Sequence, residues 1–73
     1  MKNMTKTFIV NRRDIHYLRT TLESYDGMAV VRTVDPHQAT IEVFIAPGCE
    51  THVVRLMDSL RKDENLVLRE IKT

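Results

Sequence analysis

The chain has little cysteine and glycine, with one and two residues, and it has no tryptophan. A single cysteine cannot form an internal disulfide, which is typical of a reducing compartment, so we expect a cytoplasmic location. Gly27 and Gly48 fall where a helix and a strand are predicted to end, which leaves no glycine-rich phosphate-binding loop. The serines and threonines lie outside any nucleophile motif, and no carboxylate pair falls in a predicted cleft. We therefore predict that the protein is not an enzyme.

The chain also lacks an excess of charge and a long apolar run. Eleven basic and ten acidic side chains leave a formal net charge of +1, too little to attract nucleic acid or an anionic membrane. No apolar run approaches the roughly 20 residues that span a membrane, and the first residues lack the apolar stretch of a signal peptide. We expect a soluble protein with no membrane partner, and we disfavour nucleic acid as a partner.

The length allows one hydrophobic core, so we predict a single domain over residues 1–73. In so short a chain, the burial of apolar side chains only narrowly exceeds the conformational entropy lost on folding. A domain of this size gains stability from association with a second copy.

What the chain does have is a clear order of hydrophobic patterns. Period-two runs predict four strands, and apolar residues three or four apart predict one helix after the first strand and another after the third. The order predicts an α+β fold, a ferredoxin-like βαββαβ sandwich whose four-stranded antiparallel sheet has the order 4-1-3-2 and both helices on one face. The predicted strands are residues 6–10, 28–34, 39–46 and 66–71, and the helical stripes are Ile15, Leu18, Leu22, Tyr25 and Val53, Leu56, Met57, Leu60.

Local signals predict where the helices begin and end. Asn11 is predicted to be the N-cap of the first helix, with its side chain accepting a bond from a first-turn amide. Gly27 is predicted to end that helix in the left-handed conformation, and Gly48 or Cys49 opens the second helix. Pro36 predicts a type I turn between the second and third strands. The centre of the core is expected at Leu18, Leu22, Val43, Leu56 and Leu60.

Arg12 and Arg13 break a local rule, because cations in the first turn of a helix oppose its dipole. Glu23, near the other end of the same helix, is unfavourable in the same sense. The predicted topology brings His16 and His37 to the end of the sheet where the two arginines lie. These side chains and free first-turn amides form a candidate site for a small anionic ligand. The alternative is that both arginines are solvated or pair with Asp14, Asp35 and Asp63.

Cys49 and His52 have the C-x-x-H spacing of zinc ligands on one helical turn. The predicted topology puts His16, the third candidate ligand, at the opposite end of the sheet. Cys49 also lies on the apolar stripe of the second helix, where a free cysteine is usually a small buried hydrophobe. We therefore predict no metal site and no cofactor, with Cys49 in the core and His52 at the surface.

The sheet face opposite the helices is predicted to be rich in apolar side chains. An exposed apolar patch of this size usually marks association, and a two-fold homodimer is the commonest result. Two copies could pack these faces together or pair their edge strands into an eight-stranded sheet. We favour the faces, because edge pairing alone would leave Phe44 in water. The predicted self-association residues are Ile9, Val30, Phe44, Val67 and Ile71.

Weak RNA binding is an alternative use of the same face. Residues 8–11 (FIVN) resemble the first aromatic motif of RNA-recognition modules with this topology. The third strand lacks the glycine-and-aromatic pattern of the second motif, and Glu42 at its centre would repel phosphate. We therefore rank RNA binding below protein association.

Two family resemblances extend these expectations. The order and lengths of the elements from Lys6 to Ile71 resemble the ACT domain, a ligand-binding regulatory module that often pairs side by side or face to face. This resemblance implies a sensor of an amino acid or another anion that uses the loop at residues 11–14. That loop lacks the glycine common in amino-acid-binding ACT domains, although arginines can hold a carboxylate. Residues 14–18 (DIHYL) and 23–35 (ESYDGMAVVRTVD) resemble a family of small bacterial proteins of unknown function.

The preferred interpretation is a non-enzymatic ferredoxin-like domain that self-associates and acts as an interaction or regulatory module. The first alternative is an ACT-type sensor of a small anion, and the second is weak RNA binding through the open sheet face.

Overall fold

The chain forms four strands and two α-helices in the order that the hydrophobic pattern predicts. The computed structural model describes residues 4–24 and 27–71, so the predicted helical position Tyr25 lies outside the described residues. No described helix is long and apolar enough to cross a membrane. The elements are β1 (Met4–Val10), a 3₁₀ turn (Arg12–Asp14), α1 (Ile15–Glu23), β2 (Ala29–Asp35), β3 (Thr40–Ile45), α2 (Glu50–Asp63) and β4 (Leu68–Ile71).

The four strands form one antiparallel sheet with the order β2-β3-β1-β4. This is the predicted order 4-1-3-2 counted from the opposite edge. Phe8 of β1 lies opposite Ile41 of β3, and Val10 lies opposite Leu68 of β4. The β1 strand is therefore central, and β2 and β4 are the edges. One irregularity interrupts the register between β2 and β3, at Thr33 and Asp35.

Alternate strand residues and one stripe of each helix form a single core. Leu18 and Leu22 of α1 belong to the same buried cluster as the apolar side chains of α2 and the sheet. Leu56, expected at the centre, is instead half-buried at the border, and Met57 is 2% exposed. The stripe of α2 that faces the core is spaced i, i+4, i+7, which puts Leu56 on its flank. The buried residues of that stripe are Val53, Met57 and Leu60.

The start of the first helix differs from the prediction. The Asp14 amide donates to the Asn11 carbonyl at 2.9 Å, and the Ile15 amide donates to the Arg12 carbonyl. These bonds close a 3₁₀ turn, and the Asn11 side chain makes no capping hydrogen bond. The prediction of Asn11 as a side-chain N-cap of the α-helix is therefore wrong, because the turn uses those amides itself.

A residue with positive φ follows each helix. Gly27 has the predicted left-handed φ of +69°, but α1 ends earlier, at Glu23, and residues 25–26 between them lie outside the described part of the chain. At the end of α2, Asn65 has φ of +56°, and the Leu66 amide turns back to donate to the Leu60 carbonyl at 3.2 Å. This return keeps Leu66 out of the sheet, so β4 begins at Leu68, two residues later than predicted.

Candidate functional site

The sheet face that the helices leave uncovered brings together the residues predicted to mediate self-association. Strand pairing places Val30 opposite Phe44, and Ile9 opposite both Thr40 and Arg69. We call this surface the open face. Strand pairing assigns to it Thr5, Thr7, Ile9, Val30, Arg32, Thr40, Glu42, Phe44, Arg69 and Ile71. Alternation along the chain adds two exposed residues, Val34 at the irregularity in β2 and Val67 just before β4.

The middle of the open face is polar. Arg32 of β2 lies opposite Glu42 of β3, and its Nε atom donates to Glu42 Oε1 at 3.1 Å. A terminal guanidinium nitrogen donates to the same oxygen, so the two side chains form an ion pair. Thr7 continues the polar row on β1. The open face is therefore apolar at its margins and divided across the centre.

One apolar margin lies where β2 begins. Val30 is 58% exposed, and Phe44 beside it is half-buried. The Arg32 guanidinium lies 5.9 Å from the centre of the Phe44 ring, which is the range of a cation–π contact. A shallow pocket of about 200 Å³ lies at this end of β2 and β3 and is lined in part by these two apolar side chains. Because Arg32 occupies one side of the ring, Phe44 offers little stacking area to a nucleic-acid base.

The opposite margin is apolar at the surface. Ile71 of β4 is 36% exposed and lies opposite Thr7, at the end of the polar row. Beyond that row, Val34, at the irregularity in β2, is 48% exposed, and Val67, just before β4, is 39% exposed. Ile9 is half-buried between them. Thr40, which strand alternation assigned to this surface, is buried. Four of the exposed large apolar side chains of the described residues thus lie on the open face.

The predicted anion-binding residues lie at one end of the sheet, where a hydrogen bond joins two of them. An Arg12 guanidinium nitrogen donates to the His37 carbonyl at 3.1 Å. Arg12, Arg13, His16 and His37 are all exposed. Within the described part of the chain neither arginine forms an ion pair, and both are exposed, so of the two alternatives to a binding role the structure has solvated arginines rather than pairs with Asp14, Asp35 and Asp63.

The amides that were expected to help bind an anion are partly used within the turn. Those of Asp14 and Ile15 donate to backbone carbonyls. In the hairpin, the Asp35 carboxylate accepts bonds from the amides of His37 and Gln38 at 3.0 and 3.3 Å. The anion-binding role of this end therefore depends mainly on side chains.

The C-x-x-H pair has no third metal ligand close to it among the residues that the structure describes. Cys49 is half-buried and packs against the core, and His52 is exposed. Within residues 4–24 and 27–71, no three His, Cys, Asp or Glu side chains lie close enough together to hold a metal ion. The thiol packs as the sequence predicts, although it is less deeply buried.

One polar contact between the helices escaped the sequence prediction. The Tyr17 hydroxyl of α1 donates to Glu64 Oε1, just after α2, at 2.6 Å. This hydrogen bond is the main cause that raises the pKa of Tyr17 above 10.0, because it stabilises the protonated hydroxyl. The two residues are 47 positions apart, and no local pattern links them.

Comparison with known proteins identifies a family and no activity. No curated protein and no solved structure matches the chain. The family model described as Domain of unknown function (DUF4911) matches residues 8–63. This segment includes the candidate anion-binding residues and most of the open face, and it ends before β4. Because the match covers more than half of the 73 residues, the chain belongs to the DUF4911 family, in agreement with the predicted membership of a family of unknown function.

Proposed function

We propose that this protein is a ferredoxin-like βαββαβ domain of ACT-like topology that forms a homodimer through its open face. It acts in the cytoplasm as a non-enzymatic interaction or regulatory module. The observation that carries the proposal is that four exposed large apolar side chains lie around a polar centre on one uncovered sheet face: Val30, Val34, Val67 and Ile71. Covering such side chains is favourable at roughly 25 cal/mol per Å².

The size of the open face supports a weak dimer with a second copy as its partner. Four strands about 4.8 Å apart, with about 3.3 Å per residue, give a flat footprint of roughly 400 Å² per copy. Two such footprints sum to roughly 800 Å², and side chains standing above the sheet increase this area toward the roughly 1,200 Å² lower limit of specific interfaces. We therefore expect a dissociation constant in the micromolar range.

The polar middle row does not oppose this packing. Arg32 and Glu42 are already paired within one copy, so the centre of each face brings a neutral pair. The other charged side chain of the face, Arg69, is exposed on the edge strand β4. An unpaired charge would strongly oppose burial, whereas a paired and hydrogen-bonded one does so much less. The row also disfavours the RNA alternative, because Glu42 stands at the centre of the face.

Sedimentation equilibrium at tens of micromolar tests the proposal. The wild type should contain dimer, and Val30→Glu and Phe44→Glu should shift it to monomer by placing a carboxylate in the interface. Val54→Glu is the matched control, because Val54 is 40% exposed on α2, outside the open face. This control should remain dimeric. A monomeric wild type would contradict the proposal, as would an open-face variant that keeps the dimer.

Anion sensing is the second candidate, favoured by the bond that holds the His37 loop against Arg12. Arg13 and His16 are exposed beside this contact. A ligand that binds only the folded protein raises its melting temperature by mass action. Inorganic phosphate and free amino acids are the probes for a thermal-shift assay, and Arg13→Ala should abolish the shift. Arg55→Ala, an exposed arginine on α2, is the control that should leave the shift unchanged.

A further inference from the structure

Each helix sends one charged side chain to the backbone of an edge strand. Glu23, the last residue of α1, accepts a hydrogen bond from the Val31 amide of β2, with 2.8 Å between Oε2 and N. Arg61 of α2 donates from Nε to the Leu68 carbonyl of β4 at 3.0 Å. β2 and β4 are the two edges of the sheet. Each edge is thus contacted by one of these charged side chains: the Glu23 carboxylate accepts from an amide, and the Arg61 guanidinium donates to a carbonyl.

The contacted groups face outward from the sheet. At the end of β1, the Val10 amide donates to the Ala39 carbonyl, on the side of β3. Leu68 lies opposite Val10 on the other side. In an antiparallel pair, two facing residues either bond to each other or both direct their amide and carbonyl groups to the outside of the pair. Because Val10 bonds towards β3, Leu68 directs its own groups away from β1. The Leu68 carbonyl therefore lies on the free edge, where the strand of another chain would bind.

The edge contact of Glu23 also offsets a position that the helix dipole disfavours. Glu23 is unfavourably placed at the C-terminal end of α1, where the helix dipole favours cations. Its bond to the Val31 amide supplies a compensating interaction. Arg61 is held in place by Asp58 Oδ1 at 2.9 Å, and its guanidinium lies 6.0 Å from the centre of the Phe8 ring. Both side chains are therefore positioned by the fold.

Two other features of β4 act in the same direction. The strand has only four residues, and a short edge strand offers few backbone groups to a partner. Glu70 of β4 forms an ion pair with Lys6 of β1 at 3.3 Å, so charged side chains, rather than apolar ones, lie beside this edge. Natural sheets use short edges and charged side chains to prevent edge-to-edge pairing.

We infer that Glu23 and Arg61 block the two edges of the sheet and prevent a second copy from extending it. Assembly then ends at the dimer formed by the open faces, rather than continuing into an extended sheet. The blocking itself applies to the isolated chain, and only the limit at a dimer rests on the proposed function. The partner that the edges exclude is a β-strand of another copy of this chain.

Paired variants with and without the hydrogen-bonding group test the inference. Glu23→Ala removes the acceptor, and Arg61→Met removes the donor but keeps an apolar stem. Glu23→Gln and Arg61→Lys retain an acceptor and a donor and serve as matched controls. In sedimentation velocity, the Glu23→Ala/Arg61→Met protein should form species larger than the wild-type assembly. The Glu23→Gln/Arg61→Lys protein should keep the wild-type size.

Amide exchange provides a readout that does not depend on assembly. In dilute protein, Glu23→Ala should accelerate exchange of the Val31 amide by about tenfold or more, because the amide loses a charged acceptor. Glu23→Gln should change that rate far less. Unchanged Val31 exchange in Glu23→Ala would overturn the inference, as would a wild-type size for the double variant.

The outcomes separate this inference from the proposed function. A monomeric wild type with an oligomeric Glu23→Ala/Arg61→Met variant would contradict the open-face dimer and support edge blocking. A dimeric wild type that Phe44→Glu dissociates, together with an edge variant of unchanged size, would contradict edge blocking and support the dimer.

Discussion

Leu60→Ala should destabilise the protein severely, because Leu60 joins the core to the end of α2. Its side chain is 2% exposed, and its carbonyl accepts the amides of Glu64 and Leu66. The substitution removes three buried carbons, each contributing about 0.8 kcal/mol. The cavity left behind adds to this loss, so the expected total is about 2–5 kcal/mol.

That loss is large compared with the stability of so small a domain. At roughly 0.05–0.15 kcal/mol per residue, a chain of this length is stable by only about 4–11 kcal/mol. The melting temperature should fall by about 4–8 °C for each kcal/mol lost.

Urea denaturation at fixed protein concentration measures the effect, since association makes the midpoint concentration-dependent. Val54→Ala on the same helix is the control, because Val54 is 40% exposed and lies outside the buried core, so its truncation should cost well under about 1 kcal/mol. A loss below about 1 kcal/mol for Leu60→Ala, or equal losses for both variants, would refute the assigned orientation of α2.

Two further predictions concern the helix ends. Asn65 has φ of +56°, a conformation that glycine adopts freely and alanine does not. Asn65→Gly should therefore raise stability by about 0.5–1 kcal/mol, and Asn65→Ala should lower it by about 1–2 kcal/mol. Thermal unfolding measures both changes, and a more stable alanine than glycine variant would contradict the prediction. The hydrogen bond to Glu64 raises the pKa of Tyr17 above its ordinary value of 10.0, so this bond stabilises the folded protein while the hydroxyl is protonated. The stabilisation is fully present below pH 10.0 and is lost as the pH rises through the raised pKa. An absorbance titration of Tyr25→Phe protein should show a lower Tyr17 midpoint after Glu64→Gln, and an unchanged midpoint would contradict the assigned cause.

The sequence predicted the strands well because burial on one side of a sheet imposes a period of two. Ile41, Val43 and Ile45 alternate along β3 and are all fully buried. The same alternation correctly assigned Phe8 and Val10 of β1 to the core. The strand order was predicted from the ferredoxin-like fold that the order of the elements indicated, and the sheet has that order.

The features that sequence reasoning missed depend on contacts between elements. The bond from Val31 to Glu23 exists only because α1 lies beside β2. The bond from Arg12 to His37 joins positions 25 residues apart. Glu23 and Arg12 were recognised from the sequence as breaking the helix-dipole rule, but only the packed structure shows which groups they bond to.

The composition of the open face was partly predictable, and its arrangement was not. Alternation places Arg32, Glu42 and Phe44 on the same face. The register of β2 against β3 then sets Arg32 directly opposite Glu42, which divides the apolar margins. Alternation fixes the face of a residue but does not by itself fix its neighbour on the next strand.

Isotope-filtered NMR on a mixture of labelled and unlabelled chains tests the central claim most directly. Nuclear Overhauser effects between copies report methyl groups that touch across an interface. The open-face dimer predicts such contacts from Ile9, Val30 and Ile71. Intermolecular contacts that instead involve Val54 on α2, or no contacts at concentrations of tens of micromolar and above, would contradict it.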